Sequence, residues 1–357
     1  MTDREIRVLV AEDSTVTRMF LVHLLESDPR IRVIGAVNDG QAALEFVNEN
    51  KPDVVLMDIH MPRLDGFEAT RRIMETQPVP IVICSASSNT KDVVITFQAM
   101  EAGAIACVEK PLGREHEDFE ALAAHLLETV KLMSEVKVVR RSPRLRQAPL
   151  PTANAVQWQR PAAEIKLVGI GASTGGPPVL QTILAGLPKD FAAPILVVQH
   201  IANGFLAGMA EWLNQTTGLR IHIASHGTYP LPSHVYLAPD DFHMGIGAGG
   251  GIVLTREEPE NHLRPAVSFL FRSLAGAYGP NALGVLLTGM GRDGAAELKA
   301  MKDRGAITIA QDQESSVVHG MPGVAIALGG VTHVLPADKI AAALVGLVNH
   351  RNGLLRS

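Results

Sequence analysis

The sequence predicts an α/β protein in which two doubly wound domains, each built on a parallel sheet, are joined by a linker. Three observations support this fold class. The length of 357 residues corresponds to two domains, given a typical domain of about 150 residues. In both halves, short apolar runs alternate with segments of helical period, which is the pattern of parallel strands joined by right-handed helical crossovers. Between the halves lies a proline-containing stretch without acidic residues.

The composition limits the classes of protein to which the chain can belong. Hydrophobic residues make up 46% and charged residues 19%, so the chain can bury cores and does not have a disordered composition. The net charge of −5 provides no general basic surface, so we expect no nucleic-acid binding. Cys84 and Cys107 lie in apolar runs, which excludes a disulfide framework and a cysteine zinc site. Because the sequence shows no signal peptide and no run of 18 uncharged apolar residues, we expect a cytoplasmic protein without membrane insertion.

The elements follow in order along the two domains. The first domain is predicted over residues 1–128, with strands at 6–11, 31–37, 53–57, 79–84 and 104–108 and helical periodicity clearest at 16–25 and 42–47. The second is predicted over residues 164–350, with its clearest strands at 165–170, 194–198, 283–287 and 306–309. Within 221–255, the runs at 235–239 and 251–254 predict short antiparallel strands joined by glycine-rich turns. We therefore expect a β-hairpin insertion in the second domain.

The linker is predicted over residues 129–163. No acidic residue lies between Glu135 and Glu164, whereas six basic residues do: Lys137, Arg140, Arg141, Arg144, Arg146 and Arg160. Four prolines in the same stretch oppose helix interiors and central strands. The stretch is either a basic contact strip for an acidic partner or a solvated spacer, and we favour the spacer because charge runs are usually solvated.

Polar residues follow four predicted strands of the first domain, where a parallel sheet binds its ligands. They are Glu12, Asp13, Asp58, Ser85 and Lys110. Three carboxylates brought together repel one another unless a hard cation such as Mg²⁺ binds their oxygens. One carboxylate could then accept a phosphoryl group, with Mg²⁺ and the Lys110 ammonium neutralising its oxygens and the Ser85 hydroxyl donating to the product. Any one of these residues alone would be interpreted as a helix cap or loop residue, but five at successive strand ends favour a phosphoacceptor site.

Residues 1 to about 128 resemble a response-regulator receiver domain, which has a flavodoxin-like fold. The resemblance rests on Glu12-Asp13, Asp58, the segment 61–66, Ser85-Ala86 and Lys110-Pro111. It implies that a histidine kinase supplies the phosphoryl group that Asp58 accepts, and that Ser85 and Lys110 sense it. It also implies that Glu12, Asp13, Asp58 and the Ile59 carbonyl hold Mg²⁺. Cys107 stands where the family usually carries the Tyr or Phe of its switch.

The second domain opens with a glycine-rich turn between a predicted strand and a helix, at residues 165–178. One interpretation is a dinucleotide-binding G-x-G-x-x-G loop, but counted from Gly169 the third glycine position is Thr174, and the next strand ends in Gln199 and His200 instead of an acid. The other is G-x-S-x-G, which places Ser173 on a tight turn with its hydroxyl exposed. The second interpretation predicts a base and an acid at neighbouring strand ends.

Both predicted partners occur in the sequence. His200 follows the strand at 194–198 after Gln199, and Asp293 lies in the glycine-rich turn after the strand at 283–287. Ser173 would attack, His200 would take and return its proton, and Asp293 would orient the imidazole. The backbone amides of Met290 and Thr174 are candidate oxyanion donors. The order Ser, His, Asp differs from that of α/β-hydrolases, so analogy with that fold is not used.

Residues from about 165 to 335 resemble the catalytic domain of the CheB protein-glutamate methylesterase family. The matching blocks are 171–176, 199–200, 236–239 with His243, 264–267, 287–294 and 313–322. Two departures occur: Ile201-Ala202 replaces a frequent Met-Pro, and Ser268 stands where an acid is common. The resemblance implies an α/β serine hydrolase that needs no cofactor for hydrolysis.

This resemblance also implies a substrate and its regulation. The family demethylates glutamate methyl esters on methyl-accepting chemoreceptors, releasing methanol, and related enzymes deamidate receptor glutamines. An unphosphorylated receiver is expected to cover the Ser173 groove. Two other functions remain as alternatives. One is a receiver-controlled binding module without catalysis, which the intact Ser173, His200 and Asp293 argue against. The other is a DNA-binding output, which the absence of a compact helix-turn-helix sequence after the linker argues against.

Overall fold

A computed structural model describes residues 4–85, 90–111, 119–136, 138 and 163–348. The chain divides into two compact units at residues 153 and 154. Most of the predicted linker lies outside the described residues. None of the helices within the described ranges is both long enough and apolar enough to span a membrane.

The N-terminal unit is a five-stranded parallel sheet in the order β2-β1-β3-β4-β5, which is the flavodoxin-like order. Its strands are β1 Ile6–Ala11, β2 Ile31–Val37, β3 Val54–Met57, β4 Ile81–Ser85 and β5 Ala106–Glu109. Its helices are α1 Thr15–Leu25, α2 Gly40–Asn50, α3 Gly66–Thr76, α4 Thr90–Ala102 and α5 Phe119–Met133. Because β3 is buried along its whole length, it forms the centre of the sheet, and its end carries Asp58 into the interior. The predicted fold of the first domain is confirmed.

Polar caps begin the helices that follow the strand ends. Ser14 accepts from the Thr17 amide at the start of α1, and Asp65 accepts from the Glu68 amide at the start of α3. Gly66, the first residue of α3, passes so close to the Asp58 backbone that a Cβ would lie 2.0 Å from the Asp58 carbonyl oxygen. Glycine there lets α3 start directly beside the predicted phosphoacceptor.

Helix α5 extends beyond residue 128, where the sequence placed the end of the first domain. Leu126, Val130 and Met133 are buried on one face of the helix, at spacings of three and four residues. This apolar face requires the helix to continue to Met133. The domain boundary of 128, with a linker from 129, is corrected accordingly, because residues 129–133 pack as part of the N-terminal unit.

The C-terminal unit contains a seven-stranded sheet in the order β14-β13-β12-β6-β7-β9-β8, in which every pairing is parallel. The strands are β6 Leu167–Ala172, β7 Ile195–Gln199, β8 Arg220–Ile223, β9 His234–Leu237, β10 His243–Ile246, β11 Ile252–Thr255, β12 Ala282–Leu286, β13 Ile307–Gln311 and β14 His333–Leu335. The helices are α6 Gly176–Ala185, α7 Leu206–Thr217, α8 Val267–Ala277, α9 Ala295–Asp303, α10 Met321–Ala327 and α11 Ala337–Val348. The central strands β6, β7 and β12 are buried throughout, so the sheet is covered on both faces.

The expected antiparallel region is only partly present. β10 and β11 pair antiparallel as the predicted hairpin insertion. The prediction for the run at 235–239 is wrong, because β9 lies between β7 and β8 in the main sheet and pairs parallel with both. Val235, Tyr236 and Leu237 are all buried, which is typical of an inner parallel strand and not of a half-exposed hairpin.

Candidate active site and phosphoacceptor site

The register of the central strands brings the predicted nucleophile and base together. β6 and β7 pair with Ala172 opposite Gln199, and Ser173 and His200 are the next residues on each strand. The His200 amide donates to the Ala172 carbonyl at 3.0 Å, so the pairing continues to the site. On the other side of β6, Leu286 of β12 pairs with Gly171, which puts the turn carrying Asp293 at the same edge. The three predicted residues therefore meet at the carboxyl ends of three adjacent strands.

Ser173 lies on a tight turn between β6 and α6. Its amide donates to the Thr288 carbonyl at 3.0 Å, and Gly175 continues the turn at φ 75°. Gly289 packs against the serine so closely that a Cβ there would lie 2.7 Å from the Ser173 Cβ. Small residues on both turns thus allow the serine side chain to be only half-buried at the edge of an otherwise buried sheet.

The buried Gln199 side chain joins the nucleophile turn to the base. Its Nε2 donates to the Ser173 carbonyl at 2.9 Å and to the His200 carbonyl at 2.8 Å. Sequence reasoning assigned Gln199 no role, although a polar residue at the last position of a buried strand is a signal for one. Its amide fixes the two backbone segments relative to each other.

Asp293 is buried and bound from two directions. Its Oδ2 lies 3.0 Å from His200 Nε2 and accepts from the Val267 amide at 2.6 Å. Its Oδ1 accepts from the Ser268 amide at 3.1 Å and from the Ser268 hydroxyl at 2.6 Å. Sequence reasoning noted Ser268 only as a departure from the family and did not place it against the acid.

These contacts determine the charge of Asp293. Burial alone would raise the pKa of this carboxyl, but the contact with His200, the Ser268 hydroxyl and the Val267 amide together lower it below its ordinary value. Asp293 is therefore a carboxylate at neutral pH, and its Oδ2 lies beside the Nε2 edge of the His200 ring.

The two candidate oxyanion donors flank the serine. Thr174 follows it directly, and Met290 is an exposed residue beside Gly289. Neither the Thr174 nor the Met290 amide donates to an acceptor within the described residues, whereas the Gly289 amide is used by the Val318 carbonyl at 2.9 Å. Both amides are therefore available to donate to a bound molecule, and their oxyanion role stays a prediction.

The N-terminal unit brings its predicted polar residues together in the same way. Lys110 Nζ lies 2.7 Å from Glu12 Oε2 and 2.8 Å from Asp58 Oδ1. The Lys110 amide donates to the Ser85 carbonyl at 2.9 Å, so the lysine and the serine leave neighbouring strands. Asp13 is exposed, whereas the other four residues are buried.

Burial and charge set the protonation of this pocket. Burial raises the pKa of Glu12, and the Asp58 charge adds to the effect against the opposing contact with Lys110. Burial works to lower the pKa of Lys110, but the carboxylates of Asp58 and Glu12 outweigh it and raise that pKa above its usual value. The lysine remains charged and holds together two acids that would otherwise repel.

The three carboxylates fit a hard divalent cation. One ligand oxygen from each of Glu12, Asp13 and Asp58 lies within 4.8 Å of the others. Carboxylate oxygens are the ligands that Mg²⁺ prefers, so these three residues would suit it. The Ile59 carbonyl accepts from the Gly66 amide at 2.9 Å where α3 begins, which leaves its second lone pair available, so its part in holding Mg²⁺ stays a prediction.

Cys107 takes the place of the aromatic switch residue in β5. It is half-buried and opposite Ile83 of β4. Burial raises the pKa of its thiol well above the ordinary value, so it is a packing side chain and not a reactive thiolate.

Comparisons with known proteins match both units. A model of the CheB methylesterase matches residues 168–344, and a model of the response regulator receiver domain matches residues 8–118. A protein-glutamate methylesterase/protein-glutamine glutaminase from Nitrosospira multiformis is 54% identical over 97% of this chain and 98% of its own length. A relative of the same name from Geobacter metallireducens is 52% identical over 96% of this chain and 99% of its own.

A solved structure supports the same conclusion for the second unit. The crystal structure of the Thermotoga maritima CheB methylesterase catalytic domain is 42% identical, with a TM-score of 0.50, and the match covers 51% of this chain and 98% of that one. Full-length similarity at this level, together with both domain models, assigns the whole chain. The chain belongs to the CheB family of protein-glutamate methylesterases and carries a response-regulator receiver domain before its catalytic domain.

Proposed function

We propose that this protein is a phosphorylation-activated serine hydrolase that removes methyl esters from glutamate side chains of chemoreceptors and deamidates receptor glutamines. The observation that carries the proposal is the buried Asp293 carboxylate held against His200, with Ser173 on the adjacent strand end. The names of the relatives supply the substrate class. A hydrolase of this kind tunes adaptation in chemotaxis.

The residues divide the hydrolysis into two half-reactions. His200 Nε2 faces Asp293, so Nδ1 is the ring nitrogen that takes the Ser173 proton as the hydroxyl attacks the ester carbonyl. The imidazolium returns that proton to the methoxy group, which leaves as methanol. Water, deprotonated by the same nitrogen, then attacks the acyl-enzyme, and the proton passes back to Ser173 as the free glutamate leaves.

Charge that develops on the carbonyl oxygen needs donors. The Thr174 and Met290 amides are free of acceptors within the described residues and flank the serine. We assign them to the oxyanion, because backbone amides fixed before reaction stabilise it without reorganisation. A glutamine substrate passes through the same acyl-enzyme with ammonia as the leaving group, and no cofactor enters either reaction.

In the receiver domain, Asp58 accepts a phosphoryl group from a histidine kinase. Glu12, Asp13 and Asp58 would hold Mg²⁺, which when bound neutralises charge on the phosphoryl oxygens. Lys110, now paired with Asp58 and Glu12, is near enough to contact the phosphorylated side chain, and Ser85 lies on the adjoining strand end.

The direct test of the proposal measures methanol released from methylated chemoreceptor by the full-length protein, with and without acetyl phosphate and Mg²⁺. We expect release in both conditions and a faster rate with the phosphodonor. A fluorophosphonate probe should label Ser173, whereas a binding module or a DNA-binding module without catalysis would remain unlabelled. Absence of both labelling and methanol release in folded protein would refute the proposed activity.

Separating the domains gives a further prediction. If the unphosphorylated receiver leaves the groove exposed in about 1% of molecules, removing residues 1–135 raises methanol release toward 100-fold at subsaturating substrate. The measurement compares initial rates of fragment 136–357 and of the full-length protein without phosphodonor. A folded fragment that is no faster would leave the receiver with a role in localisation only.

A further inference from the structure

The hydroxyl of Ser268 is buried beneath the acid of the candidate triad. It donates to Asp293 Oδ1 at 2.6 Å and accepts from the Gly294 amide at 3.0 Å, and the residue is 3% exposed. A hydroxyl has one proton to donate and lone pairs that can accept. The Ser268 hydroxyl directs its only proton at Asp293 and accepts from Gly294 with a lone pair. The hydroxyl therefore ties the Asp293 carboxylate to the backbone just after Asp293 itself.

The same carboxylate caps a helix to which it does not belong. Helix α8 begins after Ala266, which offers no side-chain cap, and its first turn contains no acidic residue. Its first two amides, of Val267 and Ser268, donate instead to the two oxygens of Asp293. A helix N-terminus carries partial positive charge, so the carboxylate both satisfies these amides and is stabilised by them.

We propose that Ser268 is a positioning residue for the hydrolysis, fixing the rotation of the Asp293 carboxylate so that Oδ2 stays directed at His200. The inference rests on the proposed function. The two helix amides each bind one carboxylate oxygen, and without a further contact the carboxylate could rotate between them. Asn261 adds only a longer contact of 3.3 Å to Oδ1. Ser268 supplies the short contact on the oxygen that does not face the histidine.

The hydroxyl also affects the charge of the pair. The positive end of its O–H dipole points at Asp293 and so opposes positive charge on the neighbouring imidazole. Other titratable groups near the start of α8 are already engaged: His243 of β10 bonds the Ala266 amide and the Glu258 carbonyl, and Arg272 pairs with Glu260 and Glu297. Removing the hydroxyl should therefore leave more negative charge on the Asp293 carboxylate facing the ring, which favours positive charge on the imidazole.

The test is Ser268→Ala in the full-length protein. We expect kcat for methanol release to fall about tenfold, the effect of one hydrogen bond to a charged group, with KM nearly unchanged. The acidic limb of the pH profile should move to higher pH, both for methanol release and for the rate of fluorophosphonate labelling of Ser173. Ser268→Thr, which keeps a hydroxyl, should restore most of the rate.

A matched control removes another serine hydroxyl from the same helix. Ser273→Ala loses contacts with the Leu270 carbonyl and the Ile246 amide but none with Asp293, so its pH profile should remain that of the wild type. If Ser268→Ala does not fold, Ser268→Cys keeps the volume with a weak donor and should show the same shift. An unchanged kcat and acidic limb in a folded Ser268 variant, beside an active wild type, overturn the inference. An inactive wild type would instead refute the proposed function.

Discussion

Replacing Ser173 with alanine is expected to abolish methanol release from methylated receptor. The substitution removes the only atom that forms the acyl-enzyme, and the loss in serine hydrolases is on the order of 10⁶-fold in kcat. Because Ser173 is only half-buried and its backbone amide keeps the contact with Thr288, the turn should retain its shape. The measurement is the initial rate of methanol release, with thermal unfolding as the check of folding.

The other two residues give graded losses that test their assigned roles. His200→Gln removes the base and should cost several orders of magnitude. Asp293→Asn should cost about 10³ to 10⁴, because the amide no longer holds the required tautomer of His200. In either orientation of the asparagine side chain, its NH₂ group would face another donor, either the Val267 amide or the Ser268 hydroxyl. The start of α8 should therefore lose stability as well.

The neighbouring hydroxyl at Thr288 provides the control for this series. Thr288→Val removes contacts with the Thr174 and Val318 carbonyls. It removes no side-chain contact with Ser173, His200 or Asp293. The variant should therefore be less stable but still be labelled at Ser173 by the fluorophosphonate probe. Methanol release close to the wild-type rate in folded Ser173→Ala would contradict the assignment of the nucleophile. It would require a different residue at the edge of the sheet to attack.

The main residues of both sites could be predicted from the sequence because ligands of a parallel sheet bind where its strands end. Asp58, Lys110, Ser173 and His200 each follow a short apolar run, and parallel strands necessarily end at one edge. Nothing in local sequence orders strands laterally, so β9 was predicted antiparallel although burial on both faces places it inside the sheet. Pairing partners are a property of the whole sheet.

The supporting residues were missed for a related reason. Ser268 lies 25 residues before Asp293, and its role exists only because α8 starts where the turn after β12 passes. Gln199 was visible at a strand end, but its two acceptors are backbone carbonyls, which no residue pattern reveals. Sequence reasoning thus identifies side chains with chemistry of their own more readily than side chains that act by holding others.

Replacing Asp58 with asparagine is expected to remove phosphorylation and with it the activation of the hydrolase. Asparagine keeps the size of the side chain but its amide cannot accept the phosphoryl group. Acetyl phosphate with Mg²⁺ should label the wild type at Asp58 alone, and chelation of Mg²⁺ should prevent labelling. Asp53→Asn is the control. It changes a carboxylate that precedes the first residue of β3 and is bound by the Arg4 side chain and the Arg7 amide, so labelling should remain intact.

Lys110→Ala separates acceptance of the phosphoryl group from the response to it. Without the ammonium, Glu12 and Asp58 face each other uncompensated, and the pKa of Glu12, already raised by burial, should rise further. Added Mg²⁺ can replace the missing positive charge, so labelling should survive at high Mg²⁺ while methanol release no longer responds to the phosphodonor. Labelling of Asp58→Asn at another carboxylate would overturn the assignment of the acceptor. Activation of folded Lys110→Ala equal to that of the wild type would remove the lysine from signal transmission, because the remaining neighbours of Asp58 would then be sufficient to convey its phosphorylation.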